Sequence, residues 1–113
     1  TWVEGDLSLW IPPPAHFQLV VSLYVHVAGS VDEMVRRMAS AVAPGGILFL
    51  VGHRPIDPAT GAATGAAGQQ QVSVEGAVAA LEPQRWERLV AEERSRAVAG
   101  TGVDAVVCAR RVA

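Results

Sequence analysis

The stretch that most constrains the fold is Phe17 to His53, FQLVVSLYVHVAGSVDEMVRRMASAVAPGGILFLVGH. Two apolar runs bracket it, Phe17 to Val21 and Ile47 to Val51, each too short for a helix and long enough for a buried strand. Between them Ser30 and Glu33 make an S-x-x-E capping box, the signature of a helix start. After it Val31, Met34, Val35, Met38, Ala39 and Val42 recur at helical spacing and give one apolar face. Asp32 with Arg36 and Glu33 with Arg37 are i,i+4 pairs of opposite charge on the other side. Pro44-Gly45-Gly46 is expected to end the helix, since proline lacks the N–H and glycine accepts a left-handed turn. Strand, helix, strand with non-alternating apolar strands predicts a βαβ unit in a parallel sheet covered on both faces.

The rest of the chain is read outward from that unit, as a single domain with a modest core. Residues 1–16 are a lead-in: Thr1 to Val3 is expected to close a strand, and Pro12-Pro13-Pro14 is a stiff connector that cannot enter a sheet interior. Residues 54–72 are expected to form a flexible loop, because Arg54 to Gln71 is mostly Pro, Gly, Ala, Thr and Gln and offers little to bury. Residues 73–113 complete the domain. Ser73 caps a helix from Val74 to Leu81, and Trp86 to Val98 and Val103 to Val112 read as strands joined at Gly100-Thr101-Gly102.

Charge and composition narrow the function classes. Nine arginines against 11 acidic residues give a net charge of −2, and Arg110-Arg111 is too short a basic run for nucleic acid, so no nucleic-acid partner is expected. No apolar run approaches the roughly 20 residues of a membrane span, so no membrane partner is expected either. His16, His26 and His53 lack metal-ligand spacing, and the single Cys108 reads as a small core residue, so no metal is expected. With nothing pointing to an oxidising compartment, the expected location is the cytoplasm. Ser22 lacks a G-x-S-x-G elbow, which argues against a serine hydrolase.

The residues resemble class I S-adenosylmethionine-dependent methyltransferases. The F-x-L-V-V strand at Phe17, the loop with Tyr24 and His26, the capped helix and the A-P-G-G-x-L-x-L-V run from Ala43 match that family's fourth strand, following helix and fifth strand. The resemblance implies an α/β, partial Rossmann-like methyltransferase fold: parallel strands with a C-terminal antiparallel hairpin strand inserted beside the fifth. It departs from the family at Gln18, where Asp is usual. The glycine-rich E/D-x-G-x-G-x-G loop and the acidic ribose partner are also absent from the 113 residues. The chain is therefore expected to be the C-terminal half of a methyltransferase domain.

What the resemblance implies about the site is specific. The cofactor would be S-adenosyl-L-methionine, with Asp6 accepting from the adenine amino group, Leu7 against the ring, and Ser22 and Leu23 lining the donor. Tyr24 would offer an aromatic face to the sulfonium, and His26 would be the general base. Independently of the family, ligands of open α/β sheets bind beyond the carboxyl ends of the strands, which is where residues 22–26 fall. His53 and Arg54 leave the second strand at the same edge and would line the acceptor, a small molecule. Two readings compete: a non-enzymatic, self-associating remnant, and a dehydrogenase half, which suffers from the same absent glycine loop. The missing half implies a homodimer or an N-terminal complement as partner, because Phe17 to Val21 would otherwise be an unprotected edge.

Overall fold

The computed structural model describes residues 1–25, 30–53, 72–95 and 102–112. Along the chain run β1 (Phe17–Leu23), α1 (Val31–Ser40), β2 (Val42–His53), α2 (Val74–Ala80), β3 (Trp86–Ser95) and β4 (Val103–Arg111). The strands form one sheet in the order β1-β2-β4-β3. β1 and β2 are parallel, as a helical crossover requires, and β4 runs antiparallel to both β2 and β3. The last strand of the chain thus lies inside the sheet, between β2 and β3.

Helix α1 begins where the capping box places it: Ser30 Oγ accepts the Glu33 N–H at 3.3 Å. Glu33 and Arg37 pair at 3.5 Å on its outer side. Its end differs from the expectation. The helix stops at Ser40, the Ala41 N–H closes onto Met38 O, and β2 opens at Val42, well before Pro44. Pro44-Gly45-Gly46 therefore interrupts a strand instead of ending a helix. Pairing steps from Phe17↔Val42 to Leu19↔Ile47, so β2 carries extra residues that bulge outward through Gly45, at φ 80°. A Cβ on Gly46 would stand 2.9 Å from the Gln18 carbonyl oxygen, so the strands close up after the bulge only because that side chain is missing.

Among the described residues, the expected cover on both faces is found on one. Both helices pack on one face, where Met34, Val35, Ala39 and Ala77 meet Leu48, Leu50, Val107 and Ala109 in a single core. The larger of these, Met34, Val35, Leu48, Leu50 and Val107, contribute about 1.5–3 kcal/mol each when fully buried. On the opposite face no helix among the described residues covers β1. Leu19, Val21 and Leu23 are 59%, 45% and 52% exposed there, a contiguous apolar row on an outermost strand. The other outer strand, β3, carries Glu87, Arg88, Glu92, Glu93 and Arg94, charges that discourage further strand pairing.

Two smaller boundaries move. Thr1 to Val3 forms no strand, and Trp2 is wholly exposed. Val72, assigned above to the loop, is buried in the core. Arg111, in the short basic run, is part-buried, and its guanidinium donates to Val42 O. The stretch Arg54 to Gln71, expected to be a flexible loop, and the expected turn at Gly100 and Thr101 lie outside the described residues. Among the described residues no helix is long and apolar enough to cross a membrane.

Candidate functional site

The carboxyl ends of the parallel pair β1 and β2 form one edge of the sheet, and three side chains from three strands converge there. Alternation along β1 would send Tyr24 to the helix-covered side, with Val20 and Ser22. Instead the Tyr24 N–H continues the ladder to Val51 O at 2.8 Å while its backbone turns to φ 56°. The left-handed region costs a non-glycine residue on the order of 1–3 kcal/mol and persists where surrounding contacts over-determine it. The phenol ring stacks on the His53 imidazole at 4.3 Å between centroids and 25° between planes, and Tyr24 Oη donates to Asp104 Oδ2 at 3.0 Å.

His53 is the last residue of β2 and stands opposite Asp104 in the β2–β4 register. Its Nδ1 lies 3.4 Å from Asp104 Oδ1, so each oxygen of that carboxylate meets one ring of the cluster. The side chains of His53 and Asp104 are 30% and 15% exposed, which leaves their interaction less screened than a surface pair. Sequence reading placed Tyr24 and His53 at this edge but missed Asp104. The signal lay in the register: a strand after Gly102 running antiparallel to β2 brings the second residue of β4 beside the last of β2.

The other predicted site residues divide. Ser22 and Leu23 sit one strand-turn below Tyr24 on opposite faces. Leu23 is exposed on the open face, and Ser22 is 2% exposed on the helix side, its Oγ without a hydrogen-bond partner. A buried orphan hydroxyl costs about 1–3 kcal/mol, so a partner supplied from outside the chain would be favoured there. Asp6 and Leu7 belong to a separate turn against α1. Asp6 Oδ1 accepts from Ser8 N at 2.9 Å and Ser8 Oγ at 2.6 Å, and Leu7 O accepts from Arg37 Nη1 at 2.6 Å. The two Ser8 bonds hold the exposed Asp6 carboxyl below its usual range, with Arg37 adding a smaller pull in the same direction, so it is an ionised acceptor at neutral pH. His26 and Arg54 lie outside the described residues.

Away from this edge, a cleft of about 350 Å³ opens at the other end of the sheet, lined by Arg36, Arg85, Trp86 and Arg111 among others. Arg111 is engaged by Val42 O and Arg85 by Glu82, both beside helix C-termini, where cations complement the helix dipole. Among the described residues no three potential ligands gather to hold a metal.

No protein-family profile matches the sequence, and no curated protein matches it. Solved structures do. A Mesorhizobium loti S-adenosylmethionine-dependent methyltransferase superposes with a TM-score of 0.67 at 19% identity, covering 95% of this chain and 68% of that one. A Listeria monocytogenes protein described in the same terms superposes with a TM-score of 0.61 at 8% identity, covering 95% and 67%. Strand order, the inserted antiparallel last strand and these superpositions agree, and the chain has a class I S-adenosylmethionine-dependent methyltransferase-like fold.

Proposed function

We propose that the chain belongs to an S-adenosylmethionine-dependent methyltransferase and transfers the methyl group to a small-molecule acceptor at the edge formed by Leu23, Tyr24, His53 and Asp104. The observation that carries this reading is the convergence of Tyr24, His53 and Asp104 where the strands of an open α/β sheet present their carboxyl ends. Two residues support a donor site, one at the edge and one on the separate turn of Asp6. Ser22 Oγ is buried and unpartnered beside the edge, and Asp6 is an ionised acceptor suited to an amino group of the adenine. When bound, the donor supplies an electrophilic methyl on a sulfonium. This chain's part is to hold acceptor and methyl in line, to set an aromatic face beside the cation, and to keep water from the reacting atoms. The unpaired Cys108 accords with action in the cytoplasm.

The test is a titration of S-adenosylmethionine into the isotopically labelled chain, followed by NMR. We expect saturable shifts at Ser22, Leu23, Tyr24 and Asp6, weakened by Ser22→Ala. The affinity is expected to be weaker than micromolar, because the sequence supplies no glycine-rich loop or acidic ribose partner. Shifts confined to the cleft of Arg36, Arg85 and Trp86, or none that saturate, would overturn the assignment.

A second reading, self-association without catalysis, is favoured by one observation. The row Leu19, Val21, Leu23 is exposed on an outermost strand that contains neither charge nor proline. Two copies meeting edge to edge about a two-fold axis would pair these strands and set the two apolar rows side by side without like-charge repulsion.

A further inference from the structure

Arg36, Arg85 and Arg111 line one cleft of about 350 Å³, at the end of the sheet away from Tyr24, His53 and Asp104. Arg36 comes from α1, Arg85 from the turn after α2 and Arg111 from the end of β4, and Trp86 lines the same cleft. Their partners account for only part of that charge. Arg85 pairs with Glu82 at 3.3 Å, and the Arg111 guanidinium donates to Val42 O. The C-terminal ends of α1 and α2 open on the cleft at Ser40 and Ala80, and each supplies at most about half a negative charge. With Glu82 they balance two of the three cations. One positive charge is left over.

Arg36 carries that surplus. Asp32 stands four residues before it, where an ion pair is expected, but its carboxylate lies against the first turn of α2. A Cβ built on Gly76 would stand 3.3 Å from Asp32 Oδ1. There the carboxylate complements the N-terminal end of α2. Among the described residues Arg36 makes neither an ion pair nor a hydrogen bond, and its exposed side chain lines the cleft. Helix ends explain Arg85 and Arg111. They do not explain a third cation with an indole beside it. Trp86 also lines a second cleft of about 270 Å³, with Val78, Leu81 and Pro83, so apolar surface adjoins the surplus charge.

We infer that this cleft binds a small organic monoanion, a carboxylate on an aromatic or aliphatic body. The carboxylate meets Arg36 and Arg111, and the body lies against Trp86. A guanidinium presents its N–H groups in a fork that matches the two oxygens of a carboxylate. Its five donors are not exhausted by one bond to Val42 O, which holds the Arg111 fork in place before a ligand arrives. A single surplus charge matches a carboxylate better than a phosphate, which carries nearly two at neutral pH. The volume falls within the range of small-molecule sites. No residue of the Tyr24 edge takes part, so the inference does not rest on the methyl-transfer reading.

The experiment titrates benzoate into the isotopically labelled whole chain, following the Trp86 indole N–H and the arginine Nε–H signals by NMR. Saturable shifts are expected at Trp86, Arg36 and Arg111, with Tyr24 and His53 unmoved. Arg36→Gln changes an exposed side chain and should leave the fold intact while weakening binding about tenfold, the scale of one charge-assisted hydrogen bond. Acetate, which has the charge without the body, and benzyl alcohol, which has the body without the charge, should each bind more weakly than benzoate by a similar factor. A titration that does not saturate, an unchanged affinity in Arg36→Gln, or either control matching benzoate would overturn the inference. Inorganic phosphate binding as tightly as benzoate would overturn its ligand class.

Discussion

Gly52 is the residue whose replacement tests most directly how the sheet and the candidate site are joined. It precedes His53 in β2 and faces the helix side, where the chain leading into α2 crosses the sheet at Val72. A Cβ built on Gly52 would stand 2.6 Å from the Val72 carbonyl oxygen, 3.2 Å from its nitrogen and 3.3 Å from its Cβ, whereas ordinary contact begins at 3.4 Å. In Gly52→Ala the two backbones must part by about 0.8 Å, the shortfall between 2.6 and 3.4 Å. Neither partner is a flexible side-chain end that swings away. Overpacking of this kind costs typically 1–3 kcal/mol. The alanine recovers about 0.4–1 kcal/mol by restricting the unfolded chain, since Gly52 does not occupy a positive φ. The expected net loss is about 1–2 kcal/mol, a fall in Tm of roughly 5–10 °C for a domain of this size. Urea and thermal denaturation of the two proteins measure it, with His53 ring resonances recorded alongside, because the displaced strand carries that ring. A variant within about 0.5 kcal/mol of wild type, the range of neutral surface changes, would refute the claim that Gly52 is needed for the close approach of Val72.

Two further predictions follow. Because its folded-state pKa is depressed, Asp6 contributes stability to its turn above the ordinary aspartate range, and that contribution is lost as pH falls through the lowered value; Ser8→Ala should move the Asp6 midpoint up toward the ordinary value, and an unmoved carboxyl-carbon titration would show that Ser8 is not the cause. If β1 pairs with a second copy, light scattering at micromolar concentration should give twice the monomer mass, and Val21→Arg, which puts a charge in the middle of the exposed row, should return it to the monomer; a wild type that is monomeric throughout would remove the self-association reading.

The fold was legible wherever local signals were redundant. The Ser30 cap, the 3.6-residue recurrence from Val31 to Ala39 and the two apolar runs all point to one βαβ unit, and tertiary packing had nothing to override. The boundary after α1 was not legible, because Pro44-Gly45-Gly46 carries the same chemistry whether it ends a helix or bulges a strand. What decides between them is the pairing of Val42 with Phe17, 25 residues earlier in the chain. Cover on both faces was misread for a related reason. Leu19, Val21 and Leu23 are as apolar as buried residues, and composition does not reveal whether a covering element is present. At the site, Tyr24 and His53 were reachable from their positions after strands, whereas Asp104 depends on an antiparallel register that no local pattern encodes.

The two readings share Leu23, but their other β1 residues lie on opposite faces of the strand. Ser22 and Tyr24 belong to the carboxyl end of β1, where the backbone turns left-handed and the ladder to β2 ends at Val51. Leu19 and Val21 belong to its middle, on the open side. A second copy pairing along the outer edge of β1 would use the backbone groups β2 leaves unpaired and would bring the two apolar rows side by side, without needing the Tyr24 or His53 side chains. Association would therefore steady the strand whose end carries Tyr24. Contacts on the inner side, to Val51, His53 and Asp104, help hold the left-handed turn. Strand pairing along β1 leaves the Tyr24, His53 and Asp104 cluster in place, and Val21→Arg is expected to abolish association while leaving the ring geometry of that cluster unchanged.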